Sequence, residues 1–357
     1  MRLLLLNRFG PDSGAPTGRL LGELANHLQA GGHEVSLLTA DSVYGGTRKG
    51  WLRWLQEFRA HGILLWKSLL HPPVDAVLSL TSPVCLLLTA DLAARRHRAR
   101  SYHWAMDLYP DLATGLRQLP AAAARPLRAL MRRAYARAAA VVALDGDMRA
   151  HLRAVYGREA AVIAPWPPPL SWPVPPAGAE GASTWLYSGN LGQAHEVGVL
   201  LHVQQLLEKE AVPATLILQG SGAQWGESQA TARALGLTRV VWRPPVPEAE
   251  LTASLLGAGV HIVTRKPETK GLLWPSKLAL ALLSGKPILW IGDTEGATAQ
   301  ALRADGHGVF APGQIDEIAA WVRLKFTSSV PLSAPQPVEP VRNAALRQWD
   351  ELLAANE

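Results

Sequence analysis

The chain of 357 residues is 48% hydrophobic, a length and composition that predict two domains of ordinary size, each with its own core. Its single cysteine, Cys85, excludes a disulfide framework and a cysteine-based zinc site, and fits a reducing compartment. Residues 1–165 carry 21 Lys and Arg against 12 Asp and Glu, whereas the remainder carries 14 against 17. The basic first half indicates an anionic substrate or an anionic membrane surface. Nucleic acid is disfavoured, because the sequence has no zinc finger and no aromatic RNA-binding motif.

The first half alternates short apolar runs with stretches of helical length. Its six predicted strands are RLLLLN (2–7), EVSLLT (34–39), AVLSL (76–80), RSYHWA (100–105), AVVAL (140–144) and AAVIAP (160–165). Continuous apolar strands between helices predict a parallel sheet that is covered on both faces. Proline fits neither a helix interior nor a central strand, so PWPPPLSWPVPPAG (165–178) ends this domain. We predict an N-terminal domain over 1–165 and an extended linker over 166–178.

The segment WLRWLQEFRAHGILLWKSLL (51–70) predicts an unusual helix. Its large apolar residues recur at helical spacing: Trp51, Trp54, Leu55, Phe58 and Leu65. Basic residues accompany them: Arg53, Arg59 and Lys67. Such a helix suits the interface of an anionic membrane, and the tryptophans favour that hypothesis. The alternative is an ordinary helix whose apolar stripe packs on the core of the domain.

Two side chains near the end of the fourth predicted strand are candidates for proton transfer. Asp107 follows the strand and precedes Tyr109-Pro110, where it would accept a proton from a substrate hydroxyl or orient that hydroxyl. His103 is the rival candidate, and a cap on the following turn is the structural alternative for Asp107. Cys85 lies in a segment that predicts a buried helix, so a structural role fits it better than a nucleophilic one.

The second half repeats the alternation of strand and helix. Its predicted strands are TWLYSG (184–189), TLILQG (215–220), VVWRP (240–244), GVHIVT (259–264), PILWIG (287–292) and HGVF (307–310). Helices over 314–325 and 341–355 follow, with a second Pro-rich stretch between them. We predict a second domain over 179–335 and a C-terminal helical segment over 336–357. The fold class is therefore α/β, with two Rossmann-like, doubly wound parallel-sheet domains facing a cleft; two unrelated domains in tandem are the alternative.

Glycine-rich turns follow the first two strands of the second domain. In YSGNLGQAH (187–195), Gly189 permits a tight turn, Asn190 can contact a ligand, and His195 begins the next helix. In QGSG (219–222), Gly220 lies at the end of the neighbouring strand. Because parallel strands end at one edge of a sheet, these turns converge and predict an anion site there.

The segment GLLWPSKLALALLSGKPILW (271–290) predicts a loop, a helix that starts at Pro275 and Ser276, and a strand. A helix start with Lys277 in its first turn suits a phosphate; a plain helix start with a solvated lysine is the alternative. The loop before it carries three cations that a diphosphate would need: Arg265, Lys266 and Lys270.

Together with DLYPDLA (107–113) and VVWRPPVPEAEL (240–251), these motifs resemble, in order and spacing, glycosyltransferase family 4 of the GT-B fold. Within that family the chain is most similar to enzymes that build bacterial surface polysaccharides and lipid-linked oligosaccharides. The resemblance implies a retaining transfer without a bound metal or other cofactor, with the sugar nucleotide mainly on the second domain. It implies that Ser276 and Lys277 hold the diphosphate, and that the Gly14–Gly18 loop of the first domain approaches the sugar and diphosphate from the other side.

Two departures from the family pattern concern the donor site. Many members have two glutamates eight positions apart, the second of which binds the ribose, whereas this chain has Leu280 there and Leu272-Leu273 upstream. Many members also carry Arg and Lys after the first strand of the second domain, where this chain has His195 and Glu196.

The resemblance therefore implies a hexosyl- or N-acetylhexosaminyl-transferase that moves a sugar from a UDP-linked donor to a hydroxyl of a surface or lipid-linked saccharide. We expect a cytoplasmic protein, peripheral at the inner face of the membrane, because no apolar run reaches spanning length. A sugar-nucleotide 2-epimerase of the same fold and a non-catalytic sugar-nucleotide-binding subunit are the alternatives. A dehydrogenase is disfavoured, because no GxGxxG follows a strand.

Overall fold

The computed structural model describes residues 1–41, 51–173, 183–327 and 333–356. Residues 174–178 of the predicted linker, and the side chains of Trp51 and Arg53, lie outside the described part. The chain forms two compact units. The first comprises Met1–Trp166, Gly271–Trp274 and Arg342–Glu357, and the second comprises Pro167–Lys270 and Pro275–Val341.

The first unit is built on a six-stranded, wholly parallel sheet in the order β2-β1-β3-β4-β5-β6. Its strands are β1 Arg2–Leu6, β2 Glu34–Leu38, β3 Ala76–Ser79, β4 Arg100–Trp104, β5 Ala140–Ala143 and β6 Ala161–Val162. Its helices are α1 Pro16–Ala30, α2 Trp51–Leu70, α3 Leu86–His97, α4 Asp111–Gly115, α5 Ala121–Arg137 and α6 Gly146–His151. The order reverses direction after β2, so right-handed crossovers place α2, α3 and α5 together on one face.

The second unit is a six-stranded parallel sheet in the order β12-β11-β10-β7-β8-β9. Its strands are β7 Thr184–Asn190, β8 Thr215–Ser221, β9 Val240–Arg243, β10 Val260–Thr264, β11 Ile288–Ile291 and β12 Gly308–Phe310. Its helices are α7 Val197–Lys209, α8 Trp225–Ala234, α9 Glu248–Leu256, α10 Lys277–Leu283, α11 Ala297–Ala304 and α12 Ile315–Thr327. The strand order reverses between β7 and β10, the place where open α/β sheets bind ligands.

The last helix, α13, spans Glu339–Ala354, and from Arg342 onward it belongs to the first unit. The Trp349 ring is fully buried and packs edge-on against Trp104, with ring centroids 5.1 Å apart. On its polar side, Asp350 accepts from the Nε2 of His27 at 2.9 Å. This helix was predicted as a separate C-terminal segment, because the pattern of its residues does not identify the surface that its apolar side covers.

Every predicted strand and the predicted helix over 51–70 are present. The largest difference is at β6, where the predicted run 160–165 is a strand only over Ala161–Val162. Strands buried on both faces leave a strong apolar signal, as in β1, where Leu3, Leu4, Leu5 and Leu6 are all buried. Within the described residues, none of the helices is long and apolar enough to cross a membrane.

Candidate functional site

Two glycines, Gly189 and Gly220, allow the carboxyl ends of β7 and β8 to approach each other closely. Gly189 and Gly220 are register partners, with φ of 145° and 140°, a region that L-residues rarely adopt. A Cβ on Gly220 would lie 2.0 Å from the carbonyl oxygen of Gly189, so only glycine fits there. A Cβ on Gly189 would lie 3.0 Å from the Cε of Lys277. The bare backbone of Gly189 therefore gives the Lys277 side chain room to lie over the strand end.

Lys277 ends in a chain of hydrogen bonds at the point where the strand order reverses. Its Nζ lies 3.2 Å from the Nε2 of His195, and the Nδ1 of His195 lies 2.6 Å from the carbonyl oxygen of Thr264 at the end of β10. A carbonyl oxygen only accepts, so Nδ1 carries the ring proton and Nε2 accepts from Lys277. The ammonium also lies over the Tyr187 ring, 4.8 Å from its centroid.

The environment shifts the pKa of both members of this pair. Burial, and then the charge of Lys277, lower the pKa of His195 to about 3, so the ring is neutral at physiological pH. Burial lowers the pKa of Lys277 to about 7, because the half-buried ammonium has lost part of its hydration. The site therefore holds a partly desolvated cation that an anionic ligand would stabilise.

Helix α10 starts later than the sequence predicts. Lys277 is the first residue of α10, which has only seven residues, and Ser276 and Pro275 precede it. Ser276 is exposed and Pro275 is buried. The N–H groups of Leu278 and Ala279 donate to the carbonyls of Pro275 and Ser276. Because these two N–H groups of the first turn already have backbone partners, α10 offers few free donors to an anion, and the Lys277 side chain is the main positive group.

The three cations of the preceding loop do not act as one cluster. Arg265 is fully buried, donates to the Asp293 carboxylate and stacks on Trp290, with its Cζ 5.0 Å from the ring centroid. Lys270 is exposed and lies 3.9 Å from the same carboxylate. The backbone N–H of Lys266 donates to Ala194, which places Lys266 beside the loop that carries His195. The guanidinium of Arg265 is thus committed to the core, and we leave it out of the candidate site.

Asn190 lies at the exposed end of β7, directly after Gly189. Its carbonyl oxygen accepts from the Tyr187 hydroxyl at 2.8 Å, which fixes the turn after the strand. Gly222 has φ of 146°, and a Cβ there would lie 2.5 Å from the Oδ1 of Asn190. The structure thus groups Gly189, Asn190, His195, Gly220 and Lys277 at one sheet edge.

In the first unit, Gly18 has a packing role. It lies in the first turn of α1, and a Cβ there would lie 2.1 Å from the carbonyl oxygen of Gly10 in the loop after β1. The loop also contains the helical turn Pro11–Ser13, and the Ser13 hydroxyl donates to the Gly10 carbonyl at 2.6 Å. Gly18 therefore lets this loop lie directly on α1.

His103 and Asp107 differ in their access to solvent. His103 is buried in β4, its Nδ1 lies 2.9 Å from the Ser79 hydroxyl, and burial lowers its pKa to about 3. It is a core histidine, and we remove it from the candidate catalytic residues. Asp107 is half-buried, and burial raises its pKa to about 6. Its backbone pairs with Leu273, which belongs to the same unit.

The position of Leu280, where the family pattern has a ribose-binding glutamate, is apolar in its surroundings as well. Leu280 packs on a small cluster formed by Leu186, Ile217, Leu255 and Ala258. Among the described residues, no three His, Cys, Asp or Glu side chains come together as a metal site requires.

Two contributors to the site were missed by the sequence reading: the Tyr187 ring and the Thr264 carbonyl. Tyr187 lies two positions before Gly189 on β7, and the two-residue period of a strand places both on one side. That period is a usable signal for Tyr187. The Thr264 carbonyl carries no side-chain signal, since it depends on which strand neighbours β7.

The fold is similar to solved glycosyltransferase structures over the whole chain. Sucrose-phosphate synthase from Thermosynechococcus elongatus superposes with a TM-score of 0.69 at 14% identity, covering 99% of this chain and 100% of that chain. Anabaena Alr3699/HepE in complex with UDP gives 0.68 at 14% identity, with coverage of 99% and 100%. The lipopolysaccharide outer core galactosyltransferase WaaB gives 0.64 at 13% identity, with complete coverage of both chains. No protein-family model and no curated protein matches the sequence. The chain thus has the two-domain α/β architecture of GT-B proteins.

Proposed function

We propose that this protein is a glycosyltransferase of the family 4 type that moves a sugar from a UDP-linked donor to an acceptor hydroxyl. The observation that carries the proposal is Lys277, a half-buried cation between neutral His195 and the bare backbone of Gly189, at the ligand-binding edge of the second sheet. A diphosphate fits this place, because it gains a charge-assisted hydrogen bond without a side chain in its way. The choice of UDP is supported by the UDP complex of a protein with this fold.

In the proposed reaction, the bond between the sugar C1 and the β-phosphate oxygen breaks, and a bond from the acceptor oxygen to C1 forms on the same face. The acceptor proton passes to the departing diphosphate or to Asp107, and the configuration at C1 is retained. Lys277 stabilises the charge that develops on the leaving diphosphate. No metal ion is required, because Lys277 supplies the positive charge.

For the acceptor we propose a hydroxyl of a surface or lipid-linked saccharide, with a hexose or an N-acetylhexosamine as the transferred sugar. Such an acceptor places the enzyme in the cytoplasm, at the inner face of the membrane. Support comes from the basic first half of the chain and from the exposed aromatic residues of α2.

A second candidate function, a sugar-nucleotide-binding subunit without activity of its own, is favoured by one observation. Leu280 packs among Leu186, Ile217 and Leu255 where an enzyme of this type would present a carboxylate to the ribose. Such a subunit would bind the donor and never release UDP as a product.

The test is an assay with UDP-glucose, UDP-galactose and UDP-N-acetylglucosamine against a panel of saccharide acceptors. We expect UDP release that depends on acceptor, and NMR of the product should show the anomeric configuration of the donor sugar. Lys277→Met should lower kcat, whereas Lys325→Met, which also lies over an aromatic ring, is the matched control. Binding of UDP without turnover for every pair would establish the subunit instead, and an inverted product would overturn the retaining step.

A further inference from the structure

Helix α2 departs from an ordinary surface helix, because polar as well as apolar side chains lie on its inner side and its largest exposed side chains are apolar. On its inner side, buried Glu57 pairs with Arg8 and accepts from the backbone N–H of Val84 at 2.9 Å. One turn on, His61 bonds the Thr89 hydroxyl and the Val84 carbonyl. Ala60, Leu64 and Ser68 complete this inner side. Polar contacts therefore hold much of α2 on the unit, where an apolar stripe is usual.

The outer side of α2 carries a continuous apolar face. Its exposed large side chains are Trp54, Leu55, Phe58, Trp66, Leu69 and Leu70. Trp54, Phe58, Gly62 and Trp66 are four residues apart, so they lie in one row along the helix. Phe58 is 69% exposed and Trp66 is 64% exposed, values unusual for aromatic residues of a folded protein. A face of this size and composition indicates an interaction surface.

The next two helices of the same unit, α3 beside α2 and α5 beside α3, carry exposed positive charge. The Thr89 hydroxyl joins α3 to α2, and the Arg137–Asp91 ion pair joins α5 to α3. Exposed arginines on these neighbours are Arg95, Arg96, Arg125, Arg132 and Arg133. Exposed leucines accompany them, Leu92 on α3 and Leu130 on α5. The sequences of the three helices contain only two carboxylates, Glu57 and Asp91, and both are buried and paired with arginine.

We infer that α2, α3 and α5 form a docking layer for the surface of an anionic lipid bilayer. In this arrangement the row Trp54, Phe58 and Trp66 enters the boundary between headgroups and acyl chains, and the arginines of α3 and α5 contact lipid phosphates. The inference rests on the membrane location in the proposed function and deepens it, because it names the surface that contacts the lipid. It does not depend on sugar transfer, since all of its side chains belong to the first unit.

Charge selects this occupant over the two rivals. In a symmetric dimer the same patch meets itself, so arginine would face arginine with no exposed carboxylate on the layer to offset the repulsion. Nucleic acid would satisfy the arginines but would leave six large apolar side chains of α2 against a polar backbone. An anionic bilayer satisfies both, with phosphates for the arginines and an apolar interior for the aromatic row.

The first experiment places an environment-sensitive fluorophore at the centre of the row, through Phe58→Cys. The one native thiol, Cys85, is buried, and burial raises its pKa to about 12, so it does not compete for the label. The control is Leu324→Cys, at a 56% exposed apolar position on α12 of the second unit. With phosphatidylcholine vesicles that contain phosphatidylglycerol, the emission at position 58 should rise and shift to the blue, and that at position 324 should not. Equal responses, or none, overturn the inference.

The second experiment removes the charge and leaves the aromatic row. The variant Arg95→Gln/Arg125→Gln/Arg133→Gln should bind these vesicles on the order of 100-fold more weakly than the wild type. Its control, Arg233→Gln/Arg243→Gln/Arg303→Gln, removes exposed arginines of the second unit and should bind as the wild type does. Thermal unfolding shows that both variants are folded, and no nucleotide is needed for the readout.

Three results would contradict a bilayer as the occupant. They are equal vesicle affinity of the two triple variants, a fluorescence change at position 58 that follows protein concentration without vesicles, and one that appears with RNA but not with lipid. The second would indicate a dimer and the third a nucleic acid.

Discussion

Lys277 lies half-buried between His195 and the Tyr187 ring, and burial lowers its pKa to about 7. A bound diphosphate would favour the ammonium and raise this pKa again. Above pH 7 the free protein must therefore take up a proton to bind the ligand, and affinity should fall by about tenfold per pH unit until the raised pKa is reached.

Calorimetry of UDP binding between pH 7 and 9, in buffers of different ionisation enthalpy, measures this proton uptake directly. We expect uptake that is present in the wild type and in Lys325→Met, and absent in Lys277→Met. Binding that is independent of pH across this range would mean that Lys277 does not contact the phosphates.

Asp107 offers a second test that depends on protonation. Burial raises its pKa to about 6, so the carboxylate form, which accepts a proton, is lost as the pH falls through 6. The kcat/KM of transfer should therefore decline below pH 6, and Asp107→Asn should lower kcat by about 100-fold and remove this acid limb. Asp350→Asn, at an exposed carboxylate, is the control. Wild-type kinetics in the Asp107 variant would leave the departing diphosphate as the proton acceptor.

The sequence predicts a residue's place in the site when that place follows from its position in the chain, and fails when it depends on partners that are distant in the chain. Gly189, His195 and Lys277 follow strands or begin a helix, so position in the chain alone placed them at one sheet edge. Arg265 also follows a strand, yet the sequence does not tell that Asp293 and Trp290 hold its guanidinium in the core. The same holds for His103, whose partner Ser79 is set by the pairing of β3 with β4.

At the scale of elements, alanine substitutions of the paired glycines at the ends of β7 and β8 should distinguish an effect on protein stability from an effect on ligand binding. In Gly220→Ala the new Cβ meets the rigid backbone of Gly189 at 2.0 Å, so the loss of stability should be on the order of 3 kcal/mol or more. In Gly189→Ala it meets the movable end of Lys277 at 3.0 Å, so stability should fall by less.

Denaturant unfolding and UDP titration of the two variants check this pair. We expect Gly220→Ala to be the less stable protein, and folded Gly189→Ala to bind UDP about 10-fold or more weakly, because its lysine is displaced. The reverse order of stabilities would show that the backbone of β7 yields more easily than the lysine. Wild-type affinity in Gly189→Ala would place the ligand elsewhere.

The helices show what periodicity does and does not determine. The pattern over 51–70 predicts a helix with the bounds that α2 has, but a period is the same whether the apolar stripe faces inward or outward. The outward orientation follows from Glu57 and His61, whose partners Arg8, Thr89 and Val84 lie far away in the chain. In α10, Pro and Ser marked a helix start two residues early, since the first bonded turn depends on local geometry.

At the scale of the whole molecule, the alternation of apolar strands and helices was sufficient to predict two parallel sheets. Strand order was not predictable in the same way. The length of a crossover connection does not determine whether two successive strands become neighbours in the sheet or lie on either side of another strand. Nor was the membership of α13 in the first unit, where Trp349 packs on Trp104, or that of Gly271–Trp274, which pair with the Asp107 segment.

The central claim is that the site at Lys277 binds a UDP-sugar. Its most direct test is a calorimetric titration of the purified protein with UDP, GDP, ADP and dTDP, with and without EDTA. We predict that UDP binds most tightly, that EDTA has no effect, and that Lys277→Met loses affinity by about 10- to 100-fold. Binding of none of the four, binding that EDTA abolishes, or equal affinity in the Lys277 variant would contradict the account.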